Sequence, residues 1–169
     1  MNIDILKISE TICDKLETHV PWANHGGCGF VAYYLAKELI NILGKENVKI
    51  RYTTDYYNSS KSLTKLRNTA NLKNLNKDYF QNMASDEVYS LNDHIVCTIK
   101  YKNKWYVLEA GGFYKNLKDY GRELSVDSFE LKELWDFLQG DFWNDRYNRK
   151  NNKIIRKIIK DEISSYSKV

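Results

Sequence analysis

The amino-acid sequence predicts a single α+β domain, and three observations carry this prediction. The chain has 169 residues, which is the size of one domain. Apolar residues recur at steps of three and four in its first, central and last segments, a pattern typical of helices that pack on a core. Short runs of β-branched and aromatic residues lie between these segments and indicate strands. With 43% hydrophobic and 28% charged residues, the composition excludes collagen-like and disordered chains.

Two helices are predicted in the first quarter of the chain. Residues 3–20 place isoleucines and a leucine on one helical face, and Pro21 ends the helix because the residue before a proline disfavours helical geometry. Residues 28–43 are apolar around most of the helix circumference and end at Gly44. We therefore expect the second helix to be central and largely buried.

The strands follow from alternation and from turn residues. Residues 48–53 alternate apolar and polar side chains, which indicates a strand with one face on the core. The runs 95–99 and 105–108 are β-branched and aromatic, and 101–104 supplies turn residues between them. The sequence thus predicts an antiparallel hairpin, whose second strand should end at the glycine pair 111–112.

The C-terminal part predicts two more helices. One covers 129–138 and is followed by Gly140 as a cap. The other covers 151–164, where a stripe of isoleucines opposes lysines and an arginine. Such a stripe usually packs on a core and leaves the basic side chains in solvent, so a membrane or nucleic-acid role for this helix is the weaker reading.

We interpret residues 1–169 as one domain with a core over 22–112 and C-terminal helices over 125–169. The stretch 55–90 is rich in Asn, Lys and Ser, and we treat it as a possible insertion that carries substrate contacts or merely connects elements. A weak helix is suggested near 63–72.

Composition also predicts the setting of the protein. No apolar run approaches the ~20 residues that a membrane helix needs, and the first twenty residues contain four acidic side chains, unlike a signal peptide. The three cysteines are an odd number without framework spacing, which favours reduced thiols. The excess of 26 basic over 22 acidic residues is modest for a nucleic-acid binder. We expect a cytoplasmic protein without a membrane or nucleic-acid partner.

Cys28 is the candidate nucleophile. It follows two glycines and opens the predicted buried helix, where the unpaired N–H groups of a helix N-terminus stabilise an anion. A thiol in this position can have a pKa well below its usual ~8.5. Gly26, Gly27 and Gly29 remove side chains near the sulfur and would allow a substrate backbone to approach. By contrast, Cys13 and Cys97 have the setting of small buried hydrophobic residues.

His94 and Glu109 are the candidate base and orienting acid. They lie an odd number of positions apart, near the start of the first hairpin strand and the end of the second. If Glu109 pairs with His94, or with Val96 one row along, both side chains project from the same face of the hairpin. A register shifted by one residue would separate them.

A thiol, an imidazole and a carboxylate together form the set that nucleophilic acyl transfer requires. Cys28 would attack a carbonyl carbon, His94 would move the proton, and Glu109 would hold the ring. The backbone N–H of Cys28 would meet the oxyanion, with Asn24 as a second donor and Trp22 or His25 behind it.

The strings Gly26-Gly27-Cys28, Asp93-His94-Ile95-Val96 and Trp105 to Gly112 resemble the papain-like superfamily. They are most similar to the branch with Cys, His and acid in that order, which includes transglutaminase-like proteins, arylamine N-acetyltransferases and papain-like toxin deamidases. The resemblance covers 24–52 and 91–112, and it implies a papain-like fold and a Cys-His-acid triad on Cys28, His94 and Glu109. Glu109 departs from the Asp usual in these families. The acetyltransferases are considerably longer, so a full acetyl-CoA site is not expected.

These observations predict a cysteine-dependent hydrolase acting on an amide, peptide or related acyl bond through a thioester on Cys28. The substrate would be a protein or peptide, or else a small acyl or amide compound, and no cofactor is expected. A zinc site using His25 and Cys28 is disfavoured because no second ligand pair has suitable spacing. The alternative is a catalytically silent papain-like scaffold that binds and blocks a partner.

Overall fold

The computed structural model describes residues 4–20, 23, 27–53, 94–115, 120, 124–125, 128–139 and 149–166. The possible insertion over 55–90, with its weak helix, lies outside these residues, as do Pro21 and Gly140. The described part is an α+β structure of four α-helices and one four-stranded antiparallel sheet. Within these ranges no helix combines the length and the apolar character that crossing a bilayer requires.

The sheet has the strand order β1-β2-β3-β4. Its strands are β1 (Val48–Thr53), β2 (His94–Tyr101), β3 (Lys104–Glu109) and β4 (Gly112–Tyr114). The predicted hairpin is confirmed: β2 and β3 pair antiparallel, with Cys97 opposite Leu108. Its turn residues Lys102 and Asn103 have φ angles of 48° and 62°, the left-handed conformation that a tight two-residue hairpin turn requires.

The four helices are α1 (Ile5–His19), α2 (Cys28–Leu43), α3 (Leu131–Leu138) and α4 (Arg149–Tyr166). Asp4 caps α1 by accepting a hydrogen bond from the backbone N–H of Lys7 at 3.3 Å. Gly44 ends α2 with a φ of 84°, a conformation that favours glycine, so the predicted end of that helix is confirmed. Contacts with α3, α4 and the sheet surround α2, which is the central helix as predicted.

The two faces of the sheet carry different side chains. The face toward the helices, here called the helical face, is apolar and buried; it comprises Val48, Ile50, Ile95, Cys97, Ile99, Tyr106 and Leu108. The other face, here called the second face, carries His94, Val96, Thr98, Val107 and Glu109. Strand alternation assigns each set to its face, since successive side chains point to opposite sides. On the second face a smaller cluster of Val96, Val107 and Tyr120 packs with Tyr114 and Leu124.

Two predicted boundaries need correction, and one strand was not predicted. Phe129 is not helical: its N–H donates to the carbonyl of Ile50 at 2.9 Å, so it bridges to the edge of β1, and α3 begins at Leu131. The second hairpin strand ends at Glu109, just before the predicted glycine pair, and Gly112 begins the unpredicted strand β4, which pairs with β3 through Glu109 opposite Gly112. The last helix extends beyond the predicted 151–164 at both ends.

The isoleucine stripe of α4 packs on the core, as predicted. Ile155, Ile159 and Ile163 are buried against α1 and α2. An ion pair between Lys15 and Glu162 joins α1 to α4 at the edge of this contact. The helix therefore closes the apolar layer on the helical face.

Candidate active site

Cys28 is the first residue of α2, and Gly27 is the N-cap. Gly27 has no side chain that could cap this end of the helix, and the thiol lies where the helix dipole is positive and where a nearby anion is stabilised. The residue is buried, with 3% of its surface exposed. Local sequence explains the position: α2 begins directly after Gly27, and the apolar run after Cys28 holds the helix in the core.

His94 and Glu109 meet on the second face of the sheet. Cys97 pairs with Leu108, so the next position of the ladder places Glu109 opposite Val96, one of the two registers that bring the acid and the ring to one face. His94 Nε2 is hydrogen-bonded to Glu109 Oε2, and both side chains are buried. The two residues are diagonal neighbours, a separation of about 7–8 Å between Cα atoms. A glutamate spans this diagonal, whereas the shorter aspartate would be one methylene short.

The thiol of Cys28 interacts with the same imidazole. Burial opposes ionisation of Cys28, but the charge of His94 and a hydrogen bond from its ring lower the pKa of the thiol below its usual value of 9.0. Hydrogen bonds from the backbone of Ile95 and Gly29 act in the same direction. Since Nε2 of His94 is engaged by Glu109, the other ring nitrogen, Nδ1, is left for the sulfur.

The pKa of the His94 ring shifts in the opposite direction and is raised. Burial disfavours the imidazolium, but the Cys28 thiolate and then Glu109 outweigh it and raise the pKa of His94 from 6.5 to about 9. A lowered thiol pKa and a raised imidazole pKa favour a thiolate–imidazolium pair at neutral pH. Because the two groups titrate together, the proton equilibria belong to the pair.

Two tyrosines hold the carboxylate of Glu109. The hydroxyl of Tyr120 donates to Oε2 at 3.1 Å, and that of Tyr114 contacts Oε1 at 3.5 Å. Their rings meet edge to face, with centroids 4.9 Å apart. Glu109 is thereby fixed in direction and remains hydrogen-bonded although only 6% of its surface is exposed.

The other two cysteines are in a different environment. Burial raises the pKa of Cys13 to about 12, although a hydrogen bond from the backbone of Glu109 partly opposes this shift. Burial likewise raises the pKa of Cys97, which points into the helical face as the strand alternation predicts. Both thiols are fully buried and behave as small apolar side chains.

The remaining predicted site residues fall into two groups. Trp22, Asn24, His25 and Gly26 lie outside the described residues, so the second oxyanion donor stays a prediction. Gly29 differs from the expectation that it leaves room for substrate: a Cβ there would lie 2.4 Å from Leu138 Cδ2, so this glycine permits α3 to pack on α2. No three His, Cys, Asp or Glu side chains in the described part of the chain form a cluster suited to a metal ion.

Sequence reasoning missed Tyr114 and Tyr120. A signal for Tyr114 is present, because the Ala110-Gly111 dipeptide can turn the chain and add a strand after Glu109. In that hairpin Tyr114 pairs with Val107 and so faces the same side as Glu109. Tyr120 has no comparable signal, because it enters from outside the strands.

Comparisons with known proteins give no match that bears on this geometry. No protein-family model, curated protein or solved structure matches the chain.

Proposed function

We propose that this protein is a cysteine-dependent acyl-transfer enzyme that hydrolyses an amide, peptide or related acyl bond through a thioester on Cys28. One observation carries the proposal: the thiol of Cys28, the ring of His94 and the carboxylate of Glu109 form a continuous chain of contacts at the N-terminus of α2. A nucleophile, a proton carrier and an orienting acid in this order are the parts that covalent acyl transfer uses.

The groups have distinct roles in the proposed reaction. The thiolate of Cys28 attacks the carbonyl carbon, and the backbone N–H of Cys28 donates to the oxygen that becomes negative. When the bond to the leaving amine breaks, the imidazolium of His94 gives that nitrogen its proton, and a thioester remains. His94 then removes a proton from water, whose oxygen attacks the thioester. The carboxylic acid leaves with Cys28 as the departing thiolate, and the thiolate–imidazolium pair is restored.

Glu109 acts through His94 in this scheme. Its carboxylate holds the ring so that Nδ1 faces the sulfur, and its negative charge favours the imidazolium. Tyr120 and Tyr114 prevent the carboxylate from turning away. Proton transfer depends on this alignment, because a general acid must lie within hydrogen-bond reach of its target.

We also propose that the fold is papain-like, of the transglutaminase-like kind. The support is the order of parts: a thiol at the start of a central buried helix, followed by an imidazole and an acid on two adjacent antiparallel strands. A protein or peptide substrate fits this proposal best, and a small acyl or amide compound is the other possibility.

The proposal is tested by iodoacetamide alkylation at pH 7, with each cysteine quantified by mass spectrometry. We expect Cys28 to react much faster than Cys13 and Cys97, because only its thiol pKa is lowered. The variant His94→Gln should remove this selectivity. The matched control His19→Gln alters the last residue of α1 and should leave it unchanged. Equal labelling of all three cysteines in the folded protein would refute the activated thiolate.

The low exposure of Cys28 and His94, at 3% and 4%, favours the alternative of a silent scaffold that binds and blocks a partner. The variant Cys28→Ala separates the two functions. An enzyme variant would keep its affinity for the target and lose the chemical change in it, whereas a binding protein would keep both affinity and effect. Incubation of the native chain with 4-nitrophenyl acetate provides a direct check, since an enzyme should form an acetyl adduct on Cys28.

A further inference from the structure

A cluster of basic side chains surrounds one tryptophan on the second face of the sheet. Lys49 Nζ and Arg51 Cζ lie 5.5 Å and 5.1 Å from the centroid of the Trp105 ring. Lys100 lies directly opposite Trp105 in the β2–β3 ladder, and strand alternation places it on the same face. All four residues are partly exposed. We call Lys49, Arg51, Lys100 and Trp105 the basic tryptophan cluster.

The positive charge of this cluster has no acidic partner within the described ranges. No ion pair there involves Lys49, Arg51 or Lys100. The nearby acid Glu130 is engaged elsewhere, since it pairs with Lys45 at 2.7 Å and caps α3. In addition, Arg51 Nε is buried and has no hydrogen-bond partner among the described residues.

Several other lysines among the described residues are paired with acidic side chains. Lys132 and Lys157 each bind an aspartate one helical turn away. The basic tryptophan cluster instead holds like charges together around one indole, where burial lowers the pKa of Arg51. An unsatisfied buried donor and unbalanced charge are both unfavourable in the free protein. Binding of an anion would relieve both, because a carboxylate can accept hydrogen bonds from the guanidinium in a fork-like arrangement.

The cluster lies in line with the candidate active site. His94 and Lys100 belong to the same strand and project from the same face, so about 20 Å separates them at 3.3–3.4 Å per residue. An extended peptide of roughly six residues spans that distance. Val96 and Thr98 lie between His94 and Lys100 on this face and are buried, so a segment bound at the cluster would pass around the small apolar cluster of Val96, Val107 and Tyr120 to continue toward Cys28.

From these contacts we infer that the basic tryptophan cluster binds an acidic segment of the substrate, a stretch rich in Asp or Glu that lies about six or more residues from the bond that is cleaved. The inference rests on the proposed function, because it assigns a substrate class to the same enzyme. It is favoured over a nucleic-acid surface because one indole, already occupied by two cations, does not provide the successive stacking surfaces that single strands need.

The test measures binding without turnover, using the Cys28→Ala protein and fluorescein-labelled hexaglutamate. Labelled hexaglutamine and a single-stranded oligothymidylate of six nucleotides serve as comparison probes. We expect hexaglutamate to bind most tightly and its affinity to fall with added salt. The double variant Lys49→Gln/Arg51→Gln should weaken this binding about tenfold or more.

A matched control comes from α2, where Lys37 Nζ lies 5.7 Å from the centroid of the Tyr33 ring. Lys37→Gln also removes a stacked cation but should leave the affinity unchanged. Thermal unfolding confirms that the variants are folded, and the single variant Lys100→Gln provides a milder change should the double variant unfold. It should weaken hexaglutamate binding severalfold.

Three results would overturn the inference: equal binding of hexaglutamate and hexaglutamine, tighter binding of the oligothymidylate, or equal weakening by Lys37→Gln. The outcome of this binding test is separable from the outcome of the alkylation test of the proposed function. Selective alkylation of Cys28 without hexaglutamate binding removes the acidic-substrate inference alone. Hexaglutamate binding by a chain whose Cys28 shows no selective alkylation removes the enzyme and leaves an acidic-peptide surface.

Discussion

The two faces of the sheet are formed by the same strands but differ in the interactions that hold their buried side chains. On the helical face, aliphatic side chains such as Ile99 and Leu108 are fully buried and need only close packing. On the second face, His94 and Glu109 are also buried, but each is held by specific hydrogen bonds. Burial thus stabilises the fold on one side and adjusts proton affinity on the other. Substitutions on the two faces should consequently affect different measurements.

The largest effect is expected for His94→Gln on the second face. Loss of the imidazole removes the charge that lowers the pKa of the Cys28 thiol and, in the proposed reaction, the proton donor for the leaving group. We expect the rate of acyl transfer to fall about 1,000-fold or more, as for removal of a triad member. The measurement is the rate of thioester formation with 4-nitrophenyl acetate. A rate within tenfold of that of His19→Gln would contradict the assigned role.

The matching change on the helical face is Leu108→Ala, next to Glu109 in sequence but pointing the other way. Leu108 is 0% exposed, so its truncation should destabilise the protein by about 2–5 kcal/mol. Urea denaturation measures this value. The alkylation selectivity of Cys28 should persist in the folded fraction, and its loss would show that the two faces are not separable.

The length of the acid can be tested with Glu109→Asp. Aspartate retains the charge but should not span the diagonal to His94, so we expect a loss of activity of about 10- to 100-fold, comparable to losing a hydrogen bond to a charged group. Glu109→Gln, which keeps the length of the side chain and removes its charge, is the variant to compare with Glu109→Asp. Full activity of Glu109→Asp would show that this reach is unnecessary.

The dependence of activity on pH gives a second test of the role of Glu109. The thiolate of Cys28 is gained as pH rises through a value below 9.0, and the imidazolium of His94 is lost as pH rises through about 9. Their product gives a bell-shaped profile whose alkaline limb falls near that second value. In Glu109→Gln the alkaline limb should move to lower pH, because the carboxylate no longer raises the His94 pKa. If the alkaline limb does not move, it is caused by the titration of a group other than His94.

The smallest effect is expected for Tyr120→Phe. The substitution removes the 3.1 Å hydrogen bond to Glu109 Oε2, so activity should fall roughly tenfold, equivalent to about 1.4 kcal/mol. The alkaline limb of the pH–activity profile should also move, a result that a simple loss of packing would not produce. Tyr106→Phe, on the helical face and stacked on Phe113, is the control and should leave the profile unchanged.

Local patterns predicted much of the framework. The glycines before an apolar run placed Cys28 at a helix start, and parity placed His94 and Glu109 on one face. The prediction failed at Phe129, where a hydrogen bond to the distant strand β1 outweighs local preference, and it missed β4, which follows a two-residue turn after Glu109. Helix propensity is a weak guide once such pairing competes with it.

Sequence by itself determined which side chains share a face, because alternation along a strand and periodicity along a helix are fixed by backbone geometry. It also identified the thiol that a helix N-terminus would activate. Tertiary structure alone decided that Glu109 bridges a diagonal, that two tyrosines hold it, and that two cations meet over Trp105. These contacts join elements distant along the chain, and their distances depend on how the strands and helices pack together rather than on any local pattern.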